Sequence, residues 1–275
     1  MKQFEVGLQL YSVRDQMEKD MEGTLKAVKE MGYDYVETAG YFGKSAEEIR
    51  ALLDKYGLTC ISVHQTLDFY ETKGQAGVDF IKTLGAEFSA IPWYDKSKLP
   101  GSPVWEETKA LFVRSGELLK KNGIDMCYHN HDFEFETVDG KYKYDIMMEE
   151  ISREIFKPEF DTCWVRYAGE DPCKYIRSFA GNVRILHLKD FTCKGAVKGA
   201  VYELIENGKV TKSREENLFL FKPVGQGVVN FDNVLSAAED AGIEYLIVEQ
   251  DRTYDTPALE AVKQSREFLK NTYGI

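Results

Sequence analysis

Short apolar runs rich in β-branched and aromatic residues recur along the chain. They lie at Val6–Tyr11, Tyr35–Thr38, Thr59–Val63, Phe88–Ile91, Ile124–Tyr128, Glu159–Asp161, Val183–Leu188 and Tyr245–Glu249. Between them, apolar residues fall three and four apart. Leu25, Val28 and Met31 show this spacing, as do Ile49, Leu52 and Leu53, and Leu111, Leu118 and Leu119. The first pattern predicts strands and the second amphipathic helices. Their regular alternation predicts a parallel sheet.

A glycine stands just ahead of six of the runs: Gly32, Gly57, Gly85, Gly123, Gly181 and Gly242. Each follows a helical pattern, where glycine takes the left-handed turn that returns the chain to the sheet. Eight strand–helix units without a G-x-G-x-x-G turn favour closure into a (β/α)8 barrel over a doubly wound open sheet. A single domain over residues 1–275 is expected, since no linker or low-complexity tract divides it. The long connection after the seventh strand, between His187 and the helix Phe231–Ala241, reads as an insertion that lids the site or reaches a neighbouring subunit. Within it, Tyr202–Glu206 and Leu218–Phe221 are expected to pair as a small hairpin across Asn207-Gly208.

Charge narrows the range of tasks. Thirty-five basic against 46 acidic residues give a net charge of −11, which is poor for gripping nucleic-acid phosphates. No apolar run is long enough to span a membrane, and the N-terminal residues lack a signal-peptide pattern. The five cysteines are scattered without a C-x-x-C pair. A reduced, cytoplasmic protein without a structural zinc knot is therefore expected.

Chemistry in such a barrel sits at the C-terminal ends of the strands. All four histidines fall there: His64 after strand 3, His129 and His131 after strand 5, His187 at strand 7. Glu37, Asp161 and Glu249 end strands 2, 6 and 8. His129 and His187 each follow their strand's leading glycine by six residues, and Glu249 and His64 by seven, so similar heights in the barrel are expected. His129, Asp161, His187 and Glu249 form a mixed imidazole and carboxylate set suited to one divalent ion. Mn²⁺ or Zn²⁺ fits best, with Co²⁺ or Mg²⁺ also accommodated.

The chain resembles the xylose-isomerase-like barrels of the sugar phosphate isomerase/epimerase group. The likeness rests on Gly7-Leu8-Gln9-Leu10-Tyr11-Ser12, on Tyr128-His129-Asn130-His131-Asp132-Phe133-Glu134-Phe135 and on Phe160-Asp161-Thr162-Cys163-Trp164. His187-Leu188-Lys189-Asp190, Val224–Phe231 and Val248-Glu249-Gln250-Asp251 complete it. It implies a metal held by residues at the ends of strands 5 to 8, commonly Glu, Asp, His and Glu. Asp161, His187 and Glu249 match the last three. The first position departs from the pattern and carries His129, or alternatively His131. It also implies a small carbohydrate substrate, with a homo-oligomer possible in principle.

The resemblance implies proton abstraction from carbon next to a carbonyl, through an enediolate. Glu249 is the first candidate base, Glu134 a second acid/base, and His131 or Lys189 a group that protonates or orients a hydroxyl. Tyr11, His64, Trp93 and Trp164 are candidate substrate contacts. A metal-dependent isomerase or epimerase is the leading expectation. A lyase, as in inosose dehydratases or in β-elimination from a keto-glycoside, shares the intermediate, and a noncatalytic sugar-binding barrel is the third reading.

Overall fold

The computed structural model describes residues 4–193 and 218–275. Its core is a closed barrel of eight parallel strands: β1 (Glu5–Gln9), β2 (Tyr35–Ala39), β3 (Thr59–His64), β4 (Phe88–Ile91), β5 (Asp125–His129), β6 (Lys157–Asp161), β7 (Ile185–Leu188) and β8 (Tyr245–Val248). The strands pair in chain order and β8 closes on β1, with Val6 opposite Leu246. Outside lie the connecting helices, among them Ala46–Tyr56, Trp105–Lys121, Phe231–Ala241 and Ala258–Tyr273. The first of these begins with a reciprocal Ser45–Glu48 capping box and ends on Gly57 at φ +65°. The sequence pattern thus located all eight barrel strands.

Alternation along the strands sorts the interior into layers. At the N-terminal end, Ile61, Phe88, Ala90, Cys127, Ile185 and Ile247 pack with Tyr35 and Tyr245 into an apolar floor. Gly7 faces the same layer, and a β-carbon there would lie 2.7 Å from Ile247 Cδ1. Two residues further along each strand the interior turns polar: Ile185 gives way to His187, Ile247 to Glu249 and Cys127 to His129. A bulge in β3 leaves Ile61 without a partner on β2, so that Ser62 pairs with Glu37.

One local expectation is corrected. β1 stops at Gln9 rather than Tyr11, because the Gln9 side chain accepts the Tyr11 amide and starts a 3-10 turn over Leu10–Val13. Leu220–Lys222 pairs antiparallel with Asp190–Thr192. The proposed partner Tyr202–Glu206, and most of the expected insertion, lie outside the described residues. No helix among the described residues is long and apolar enough to cross a membrane.

Asp190 organises the return of the chain after β7. One carboxylate oxygen accepts the amides of Gly225 and Gly227, at 3.1 and 2.8 Å, and the other those of Phe191 and Val229, at 2.9 and 3.1 Å. Gly227 comes so close that a β-carbon would lie 2.2 Å from Asp190 Oδ1. Asp190→Ala would leave buried amides without an acceptor and should cost about 2–4 kcal/mol of stability. An unchanged denaturation midpoint would show that this clamp is dispensable.

Candidate metal centre and pocket

Four side chains meet at the C-terminal mouth. His129 Nε2 lies 3.3 Å from Asp161 Oδ2 and 3.4 Å from Glu249 Oε2, and His187 Nδ1 lies 3.0 Å from the same Glu249 oxygen. One donor atom from each of His129, Asp161, His187 and Glu249 falls within 4.8 Å of the others. All four residues are buried. Neither ring nitrogen of His129 has a hydrogen-bond partner, and Asp161 Oδ2 accepts no hydrogen bond of proper geometry. Buried polar atoms are seldom left this way. Two imidazole nitrogens and two carboxylate oxygens around one point fit a divalent cation. His131 is not part of this group.

A second cluster lies immediately below: Glu37, His64, Glu159 and His187. Here the polar atoms largely satisfy one another. Glu37 Oε2 accepts from His187 Nε2 at 2.7 Å and from Gln9 Nε2 at 2.7 Å, while Glu37 Oε1 accepts from Ser62 Oγ at 2.5 Å. His64 Nε2 sits 3.0 Å from Glu159 and 3.2 Å from Glu37. This layer serves the one above. With Nε2–H of His187 held by Glu37, Nδ1 is aimed at the mouth, the arrangement by which carboxylates orient metal-binding imidazoles.

Electrostatics follow the geometry. Burial opposes ionisation of Asp161, but Lys189 and His129 outweigh it and lower its pKa. Glu249 is held far below the usual carboxylate range, against burial, by Lys189, His129 and His187. Burial alone would discharge His129, yet its contacts with Asp161 and Glu249 lift it to about 9. His131 moves the other way: burial and the neighbouring His129 keep it neutral.

Beside the cluster opens a cavity of about 400 Å³, lined by Tyr11, His64, Trp93, His129, His131, Lys189, Glu249 and Asp251 with Gly40, Gln65, Thr66 and Pro92. Its apolar wall is Tyr11, Pro92 and Trp93. The Arg14 guanidinium stacks on Tyr11 at 4.1 Å and donates to the Asp251 carbonyl, fixing this part of the rim. Expected contacts Tyr11, His64 and Trp93 therefore line the pocket. Trp164 does not. It is fully buried behind the mouth, stacked on Phe219 and edge-on to Phe221.

Glu134, expected as a second acid/base, is not among the pocket-lining residues. Fully buried, it accepts the Tyr128 hydroxyl at 2.7 Å and the His131 amide at 2.8 Å. Asn130 accepts the Asp161 amide at 3.1 Å. The Tyr-His-Asn-His-Asp-Phe-Glu-Phe run is thus a built turn: His129 enters the cluster, His131 enters the pocket, and Asn130 and Glu134 hold them there. Glu159 and Asp251 escaped the sequence reading. Each stands two residues from a residue that was singled out, Asp161 and Glu249, and so shares its inward face.

Burial raises Glu134 to about 7, more than the Tyr128 hydroxyl and His131 amide lower it. The fold therefore favours the neutral acid. That stabilisation is complete below the ordinary value near 4.5 and is lost as pH rises through 7. Glu134→Gln should flatten the fall in stability between pH 4.5 and 7 by up to roughly 3 kcal/mol. Superimposable pH–stability curves would contradict this.

The family model for xylose isomerase-like TIM barrels matches residues 25–272. An inosose dehydratase of Geobacillus thermodenitrificans is 26% identical over 214 residues, covering 72% of this chain and 68% of that protein. Among solved structures, a sugar phosphate isomerase/epimerase from Parabacteroides distasonis superposes with a TM-score of 0.76 at 21% identity, over 99% of this chain and 96% of that one. An IolI protein carrying a zinc atom superposes with a TM-score of 0.68 at 15% identity, over 98% and 97%. With the family model spanning most of its length, the chain belongs to the xylose isomerase-like TIM barrel family.

Proposed function

We propose that this protein is a divalent-metal-dependent lyase acting on a cyclic keto-sugar or keto-polyol, removing a proton next to the carbonyl and expelling the oxygen substituent one carbon further on. The observation that carries this reading is the one-sidedness of the pocket. Among the described residues, the carboxylates in its wall are Glu249 and Asp251, both from the end of β8. The opposed position at the end of β5 holds an imidazole, His129, whose Nε2 faces the cluster. Epimerisation needs acid/base groups on both faces of one carbon; elimination needs one. The inosose dehydratase relative supports the same choice.

His129, Asp161, His187 and Glu249 would hold the ion, Mn²⁺ or Zn²⁺ by donor type and, for zinc, by the likeness to the zinc-bearing IolI protein. When bound, it would polarise the substrate carbonyl and spread the charge that forms on deprotonation. The chain supplies the rest. Glu249 directs Oε2 at His129, His187 and Lys189, leaving Oε1 to take the proton. The electron pair moves toward the carbonyl and then expels the β-oxygen, which recovers the proton from Glu249. Neutral His131 orients the departing oxygen, and Tyr11 and Trp93 pack against the ring.

Isomerisation from the same deprotonated intermediate is the second reading, favoured by His131, which lines the pocket with Glu249 and can serve a neighbouring carbon.

Purified protein should contain about one divalent ion per chain, and His129→Ala and Glu249→Ala should abolish it. Glu37→Leu, which removes the acceptor for His187 Nε2–H, should weaken binding about 10–100-fold in a chelator competition. Unchanged metal content in both alanine variants would remove the ligand assignment.

Incubation with inososes and 3-keto-glycosides in deuterated water should yield an α,β-unsaturated ketone together with released water or alcohol. Glu249→Gln should slow this by about 10²–10⁴-fold. Deuterated isomer without unsaturated product would select the isomerase reading, and no exchange by metal-loaded protein would leave a binding barrel.

A further inference from the structure

Lys189 leaves β7 two residues beyond His187 and so points into the mouth. Its side chain is 1% exposed. Nζ lies 2.9 Å from Asp161 Oδ2, 2.7 Å from Glu249 Oε2, and 3.0 and 3.2 Å from the two Asp251 oxygens. Trp164 and Phe221 present their ring faces to it at 5.4 and 6.0 Å. Its ammonium is thus ion-paired with three carboxylates, which makes it an electrostatic anchor rather than a proton carrier.

Two of those oxygens have a second task. Asp161 Oδ2 and Glu249 Oε2 are the same atoms that face His129 Nε2. They lie between two positions: the cluster with His129 and His187 on one side, and the ammonium with Asp251 on the other. Bridging carboxylates between two cationic positions are the pattern of two-metal sites, where the ions stand about 3.5–4 Å apart. Asp161 Oδ2, fully buried and without a hydrogen bond of proper geometry, points at both. Charge agrees with one ion and one ammonium: together they balance Asp161, Glu249 and Asp251.

We propose that the Lys189 ammonium stands in for a second divalent cation. Asp161, Glu249 and Asp251 then form a latent all-oxygen site that the lysine keeps closed, holding the centre to one ion. An oxygen-only set suits a hard cation such as Mn²⁺. The inference rests on His129, Asp161, His187 and Glu249 holding the first ion.

Calorimetric titration with Mn²⁺, checked by elemental analysis after dialysis, tests it. Wild type should bind one Mn²⁺ per chain. Lys189→Ala should bind two, with the spin-coupled resonance spectrum of a manganese pair, and Lys189→Ala/Asp251→Asn should return to one. Lys189→Gln keeps the stem and packing while removing the charge, and should also bind two should the alanine variant fail to fold. One Mn²⁺ in a folded Lys189→Ala or Lys189→Gln overturns the inference. No Mn²⁺ in wild type would instead overturn the first site, so the two failures are distinguishable.

Discussion

Among the described residues, the barrel mouth concentrates more buried carboxylates than the cations beside them can balance. Glu37, Glu159, Asp161, Glu249 and Asp251 are all at most 9% exposed, and one ammonium, that of Lys189, stands among them. Moving carboxylates out of water is costly unless each finds opposite charge and hydrogen bonds. In the structure the deficit is met by imidazoles, whose contacts with carboxylates pull His129 and His187 toward their charged forms. A divalent ion would concentrate the same two charges at one point and release the imidazoles to act as neutral donors. The carboxylate layer, the tautomer of His187 and the seat of Lys189 are consequences of that one imbalance.

The barrel makes such an imbalance tolerable by placing it between an apolar floor and an open mouth. Strand pairing fixes the height of each inward residue, so a change from Ile185 to His187 or from Ile247 to Glu249 changes a whole layer at once. The floor carries the packing. The layer above it carries the charge and has little freedom to relax. One residue along, on the outer face, Leu186, Leu188, Leu246 and Val248 bury themselves against the helices. The same period of two that gives the fold its core therefore gives the site its preorganisation.

That period also explains what could be read in advance. Strand positions and the residues at their ends were legible, because apolar runs, helix spacing and helix-ending glycines agree. Glu159 and Asp251 were missed because strand-end residues were weighed one at a time. Applied strand by strand, the rule that found His129 beside Cys127 also points to Glu159 beneath Asp161 and Asp251 above Glu249. The positions of Trp164 and Glu134 were not legible for another reason. An aromatic or a carboxylate beside a reactive residue looks the same in sequence whether it faces the cavity or supports the wall, and both belong to the wall. The β3 bulge that brings Ser62 to Glu37 has no sequence signature of its own.

The support given to His129 and His131 bears directly on the chemistry. A carboxylate at the end of β5 would add a negative charge and a base on the face opposite Glu249. The imidazole there adds no negative charge, and its Nε2 is turned to the cluster. The β5 turn instead spends its acidic residue, Glu134, on anchoring the His131 backbone and Tyr128, away from the cavity. The wall thus keeps its carboxylates together on β8, next to the ammonium that tempers them. In the proposed reaction, a substrate in this pocket meets its carboxylates, among the described residues, at the β8 side only, with Tyr11 and Trp93 as apolar lining. For the proposed lyase, proton removal and leaving-group departure on the same face would follow from that placement. Inversion at a single carbon, which requires two opposed groups, would not.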